Sequence, residues 1–190
     1  MNDNDPAELP ALLAEQRAYY RARAAEYDEW FFRKGRYDHG DELNSLWASE
    51  VEQVRAELTQ IGKVDQALEL ACGTGIWTQD LARMAKHVTA LDASAEMISL
   101  NRSRLGNHRV DYQLVDLFNW HPHDEVDLVF MGFWLSHVPP ELLTGFLTQV
   151  RKSVHTGGRL FLVDSRADQT SNAQDNPIRP DRGSMQMRKL

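Results

Sequence analysis

The most constraining stretch of this 190-residue chain is Leu68-Glu69-Leu70-Ala71-Cys72-Gly73-Thr74-Gly75, an apolar run that breaks into a glycine turn before a helical pattern begins. Glycine at 73 and 75 permits positive φ and lets the backbone approach a ligand closely, while Ala71 and Cys72 are small enough to stay clear. The spacing is small-x-Gly-x-Gly, not the Gly-x-Gly-x-x-Gly of dinucleotide binders. A tight strand–helix turn needs glycine for its own sake, so the turn alone does not establish a site.

From Val64 onward, short apolar runs alternate with helical patterns. Ala67 to Ala71 reads as a strand, with a helix from about Trp77 to Ala85. His87 to Leu91 reads as a second strand, with a helix from about Ala95 to Arg104. Val110, Tyr112 and Leu114 alternate as a third strand. Val126 to Gly132 is nearly continuous in apolar residues, the pattern of a central parallel strand buried on both faces. Pro140 opens a helix whose inner face carries Leu143, Phe146, Leu147, Val150 and Val154. Gly157-Gly158 then turns the chain into a fifth strand, Arg159 to Val163. Such alternation predicts right-handed crossovers, and so an α/β fold with a parallel sheet and helices on both faces. Ligands in such folds sit beyond the carboxyl ends of the strands, where the strand order reverses.

Ahead of this core, residues 11 to 32 read as helix, and Lys34 to Gly40 as a loop. A second helix runs from about Glu42, its buried face marked by Leu43, Trp47, Val51, Val54, Leu58 and Ile61, with Gly62 placed to end it. The expected division is a helical cap or lid over 1–62, a core over 63–165 and a polar tail over 166–190. That tail holds only six apolar residues in 25 and shows no strand period.

Lys plus Arg is 21 against 28 for Asp plus Glu, a net charge of −7. That sign disfavours nucleic acid and anionic membranes as partners. No apolar run approaches the ~18 residues of a membrane span. The single cysteine cannot form an intrachain disulfide, and Met-Asn-Asp-Asn-Asp-Pro is unlike a secretory signal. A soluble cytoplasmic domain is the expectation.

Two acids stand at strand tips. The second strand ends in Leu91-Asp92, 17 residues after Gly75. A carboxylate there points into the crevice and can accept hydrogen bonds from both hydroxyls of a ribose. It can alternatively cap the helix starting near Ala95, although Ser94 is available for that role. The third strand ends in Asp116-Leu117-Phe118, where the acid can accept from an exocyclic adenine amine.

Taken in order, Leu68 to Gly75, the acid in Ala90-Leu91-Asp92, Asp116-Leu117 and Val126 to His137 resemble the motifs of class I S-adenosylmethionine-dependent methyltransferases, over about residues 64 to 165. Within that family the chain is similar to the small-molecule enzymes, which share a Tyr-Asp-bearing N-terminal helix like Ala25-Glu26-Tyr27-Asp28. The resemblance implies a Rossmann-like sheet of order 3-2-1-4-5 and S-adenosylmethionine as cofactor. It implies that Asp92 binds the ribose, that Asp116 and the backbone of Leu117 bind the adenine, and that Glu69, Ala71, Gly73 and Gly75 line the methionine and ribose portion. The family often has glycine at the position of Ala71. In related enzymes a histidine in the loop held here by His137, sometimes paired with an N-terminal tyrosine (here Tyr27), helps deprotonate or orient the nucleophile. Of the cations Arg33, Lys34 and Arg36, Arg36 is the choice to clamp the cofactor carboxylate.

Methyl transfer from a sulfonium is an in-line displacement, in which orientation alone can be worth ~7–11 kcal/mol. It requires no metal, and none is expected; His121-Pro122-His123-Asp124-Glu125 reads as a solvated turn. Tyr19, Tyr20, Tyr27, Trp30, Phe31, Phe133 and Trp134 are available to wall a substrate cavity or simply to pack. Trp77 reads as packing and Cys72 as inert. Rival readings are a catalytically silent cofactor-binding or interaction module, and a nicotinamide-linked oxidoreductase, which the glycine spacing disfavours. The family usually continues past strand five into a helix and an antiparallel hairpin, and strands six and seven are not visible in this sequence. Strand five is therefore expected to be an exposed apolar edge. Either the chain stops short of a longer domain, or that edge is covered by the tail or by a partner chain, a homodimer being one such arrangement.

Overall fold

The computed structural model describes Ala14, residues 24–106 and residues 110–164. Five strands, β1 (Val64–Leu70), β2 (Ala85–Asp92), β3 (Val110–Leu114), β4 (Val126–Gly132) and β5 (Val154–Val163), form one sheet in the order β3-β2-β1-β4-β5. Every pairing is parallel. The order reverses between β1 and β4, which opens the crevice there. The α/β sheet expected from the alternation, with its implied order, is the one observed.

Five helices accompany it: α1 (Tyr27–Phe31), α2 (Asp41–Gln60), α3 (Thr78–Met84), α4 (Ala95–Leu105) and α5 (Pro140–Lys152). Most of the helix read over 11–32, with Tyr19 and Tyr20, and the tail over 166–190 lie outside the described residues. What is described of that first helix is helical Ala14 and a 3-10 turn (Ala24–Glu26) running into α1.

Period-two alternation in β1 and β4 builds a core on each face. Leu68, Leu70, Val129 and Met131 join Leu91, Val138 and the α5 residues Phe146 and Val150 on one side. Ala67, Leu128 and Phe130 join Phe31, Val51, Leu58, Trp77 and Leu81 on the other. Leu128, Val129, Phe130 and Met131 have no exposed surface, as the continuous apolar run predicts.

Two expectations are corrected. The buried face assigned to α2 is too long: Val51 and Leu58 are buried, but Leu43 remains 41% exposed. Helical spacing fixes which face turns inward, not how far along the helix the sheet reaches. Likewise Val154 does not end a helix but begins β5, and Gly157-Gly158 lies inside that strand rather than before it. Val126 pairs with Val154 and Leu128 with Arg159, so β5 takes five residues to advance where β4 takes two.

The extra residues form a bulge in which Gly157 has φ +89° and a Cβ on Gly158 would meet Val126 O at 3.0 Å. His155 fixes the bulge to its neighbour. Its Nε2 lies 2.8 Å from Asp127 Oδ1 and its Nδ1 2.8 Å from Thr156 O, so both nitrogens face acceptors and the imidazolium form is favoured. Asp127 Oδ2 in turn accepts from the backbone N–H groups of Asp65 and Gln66 at the start of β1.

The two classes of glycine should respond oppositely to a methyl group. Gly158→Ala is expected to cost about 1–3 kcal/mol, because backbone must shift to admit it. Gly145→Ala, in the exposed middle of α5 with nothing within 4 Å, should stabilise by about 0.5–1 kcal/mol. Urea unfolding of both variants checks the pair.

Candidate functional site

Between β1 and α3 the chain enters the left-handed region at alternate residues: Ala71 (φ +54°), Gly73 (φ +52°) and Gly75 (φ +89°). Glycine takes that conformation freely, whereas an L-residue such as Ala71 holds it at a cost of about 1–2 kcal/mol. The turn is closed by the Cys72 N–H donating to Leu91 O and the Gly75 N–H to Cys72 O.

Asp92, at the end of β2, organises the neighbourhood. Its Oδ2 accepts from the Gly73 N–H at 2.9 Å and its Oδ1 from the Ser94 N–H at 2.9 Å. Burial raises its pKa, while hydrogen bonds from Ser94, Gly73 and Ala93 oppose the rise. Ser94, not Asp92, caps α4 by accepting from the Met97 N–H.

Under the turn lies a buried polar relay. Tyr112 donates its hydroxyl to Asn101 Oδ1 at 2.8 Å, and Asn101 Nδ2 donates to Thr78 Oγ1 at 2.8 Å. Asn101 is 0% exposed, and a Cβ on Gly75 would stand 2.4 Å from its Oδ1. The Thr78 hydroxyl bonds Glu69, itself 1% exposed. Burial pushes the Glu69 carboxyl up to about 8, and its Oε2 has no hydrogen-bond partner among the described residues.

Over the turn lies α1. A Cβ on Gly73 would meet the Tyr27 ring at 3.9 Å. Burial of the Tyr27 hydroxyl, followed by the nearby charges of Asp92, Glu69, Asp28 and Asp164, raises its pKa above the ordinary tyrosine value. Asp28 accepts from the Thr74 hydroxyl at 2.6 Å and pairs with Arg104 at the end of α4.

The other expected residues lie on the segments after β3 and β4 and between α1 and α2. Asp116 Oδ1 accepts from the Phe118 N–H at 3.0 Å, Leu117 is buried, and Phe118 packs on Trp134 at 5.7 Å. His137 ends a 3-10 turn (Leu135–His137), its ring 6.5 Å from that of Trp134. Ser136 beside it donates both N–H and hydroxyl to Asp164, just past β5. Arg36 is exposed, its guanidinium over the Tyr37 ring; the arginine tied to the glycine turn, through Asp28, is Arg104. Trp77 packs against Phe31 and Phe130, and burial raises the Cys72 thiol well above its usual value.

Asn101, Thr74, Arg104 and Asp164 are additions that the sequence did not single out. Two of them carried a signal. Asn101 is a polar residue on the same stripe of α4 as Met97, Ile98 and Leu105. Asp164 follows β5 as Asp116 follows β3, an acid at a carboxyl tip.

A parallel sheet whose order reverses beside a glycine turn, with an acid at the tip of the next strand, defines a doubly wound α/β protein that holds a nucleoside-bearing ligand in the crevice. Comparisons with known proteins narrow that class. Residues 67–158 match a methyltransferase domain family. The solved DhpI–SAM–HEP complex is 37% identical, with a TM-score of 0.68, over 83% of this chain and 68% of that one. A demethylmenaquinone methyltransferase of Bacillus velezensis is 28% identical over 68% of this chain and 59% of its own length. A ubiquinone biosynthesis O-methyltransferase of Xanthomonas axonopodis pv. citri is 30% identical over 63% of this chain and 50% of its own. This chain therefore belongs to the class I S-adenosylmethionine-dependent methyltransferases, and it spans between half and three fifths of the length of these two curated relatives.

The residues present fit the family's cofactor, S-adenosylmethionine. Gly73 keeps the turn clear of side chain, Asp92 stands beside it, and the unpartnered Glu69 oxygen is buried close by. In folded protein Glu69 stays protonated up to about pH 8, whereas unfolded it ionises near its ordinary 4.5. The folded state thus holds the extra proton across that window, and stability falls as pH rises through it. Glu69→Gln should flatten this decline between pH 5 and 9, with little change at pH 5, as read by thermal melts.

Proposed function

We propose that this chain transfers the methyl group of S-adenosylmethionine to a small-molecule acceptor. Asp92 supports the reading most directly, because one carboxylate both holds the glycine turn through Gly73 and stands at the tip of β2 where ribose hydroxyls would reach it. In this reading Asp92 accepts from the ribose, and Asp116 with the Leu117 backbone takes the adenine. Glu69, Ala71, Gly73 and Gly75 border the methionine and ribose portion, and Arg36 would have to swing inward to clamp its carboxylate. The core over 63–165 is then the cofactor-binding part, and the segments before it form the cap.

The cofactor, when bound, supplies an electrophilic methyl group on a sulfonium. The chain's part is to align the acceptor, exclude water and manage one proton. Burial, reinforced by the surrounding acids, keeps the Tyr27 hydroxyl protonated at neutral pH, so Tyr27 serves as a hydrogen-bond donor and orienting group, not a base. His137, on the loop after β4, is the group suited to take the acceptor's proton.

Calorimetry with S-adenosylhomocysteine tests the cofactor assignment. The wild type should bind, and Asp92→Ala should weaken binding about 10–150-fold. Undiminished binding by the variant, or displacement by NAD, would sink the assignment. With an acceptor in hand, His137→Ala should lower kcat about 100-fold or more while leaving the cofactor KM within a factor of two.

Among the described residues no helix is long and apolar enough to cross a membrane. We further propose that the chain works in the cytoplasm, since its single cysteine needs no oxidising compartment. We also propose that two copies pair along β5, which among the described residues has a neighbour on one side only and leaves Leu160 and Leu162 46% and 42% exposed. Light scattering should report a dimer, and Leu160→Glu with Leu162→Glu a monomer. A monomeric wild type refutes the pairing.

A further inference from the structure

One residue of the cap is tied to the glycine turn by its side chain and is assigned no role above. Asp28 lies in the first turn of α1, next to Tyr27, and its two oxygens bind different elements. Oδ1 accepts the hydroxyl of Thr74, which sits between Gly73 and Gly75 and is 1% exposed. Oδ2 pairs with Arg104, in the last turn of α4. The carboxylate therefore joins the cap, the cofactor turn and the helix that follows β2.

The cap has little local means of holding itself in place. α1 is five residues long, no side chain caps its start, and a helix of that length is not stable alone. Its other contacts include edge-to-face rings, Trp30 on Phe133 at 5.1 Å and Phe31 on Trp77 at 5.9 Å, and a hydrogen bond from Trp47 Nε1 of α2 to Phe31 O at 2.8 Å. The ring contacts are only weakly directional, and the Trp47 bond ties α1 to α2 rather than to the glycine turn. A hydrogen bond to a charged acceptor is directional, and it fixes α1 along the turn. The position so fixed matters because the neighbouring Tyr27 ring stands over Gly73.

We propose that Asp28 is a positioning residue that pins Tyr27 over the glycine turn through Thr74, with Arg104 steadying its second oxygen, so that a bound cofactor is retained beneath the cap. The inference rests on the cofactor reading above for its ligand, but not for the pin itself. Because Asp28 and Arg104 keep 37% and 20% of their side-chain surface, the ion pair aims the carboxylate more than it adds stability.

Asp28→Asn keeps the size and removes the charge, and Thr74→Val keeps the shape and removes the donor. In cofactor-free protein, hydrogen exchange of the amides over 27–37 should quicken about tenfold in both variants, while those of β1 and β4 keep wild-type protection. Calorimetry with S-adenosylhomocysteine should show each variant weakened about tenfold, and the double variant no weaker than the worse single one, because both remove the same bond. Asp28→Glu should recover part of the loss. Given an acceptor, the cofactor KM should rise while kcat changes less. Wild-type exchange over 27–37 in both variants overturns the pin. If exchange quickens and the wild type binds, but the variants bind equally well, the retention role fails and the cofactor reading stands. A wild type that does not bind S-adenosylhomocysteine refutes that reading and retention together.

Discussion

The backbone path from Ala71 to Gly75 is the constraint on which the crevice depends. Left-handed residues at alternate positions let the Gly73 N–H reach Asp92 and, at Gly75, leave no room for a side chain. Each neighbour then has a job set by that path. Asp92 receives the Gly73 N–H, Asn101 fills the space that a side chain on Gly75 would need, and Asp28 takes the hydroxyl between the two glycines. Ala71 carries the conformational cost, since its φ is that of a glycine.

The electrostatics follow from the same crowding. Glu69, Asp92, Asp28 and Asp164 all act on the Tyr27 hydroxyl, so four carboxyl groups share one corner of the crevice. Backbone donors offset Asp92, Arg104 offsets Asp28 and Ser136 offsets Asp164. For Glu69 the offset is a single threonine hydroxyl, and burial leaves it protonated through neutral pH.

Much of this arrangement was legible in the sequence because it is local. The continuous apolar run gave β4 its bounds, and the glycine turn with the acid 17 residues on located the crevice. Arg104 was not legible, because its partner Asp28 is 76 residues away and only the fold brings them together. The glycines at 157 and 158 misled for a related reason. As a pair they read as a turn, but Gly157 supplies the positive φ of a bulge and Gly158 the close approach to Val126 O where β5 is pressed against β4. Leu43 shows the same limit, since its spacing is right but it stays exposed.

The ring cluster under α1 has an optical consequence. Trp30 from α1, Trp47 from α2 and Trp77 from the start of α3 all lie within 6.4 Å of the Phe133 ring, centroid to centroid. Three of the five tryptophans thus share one chromophore array that joins three helices. Their mutual angles, and so their coupled near-ultraviolet dichroism and emission, depend on where α1 sits. The molecule carries an unlabelled gauge of the position of α1.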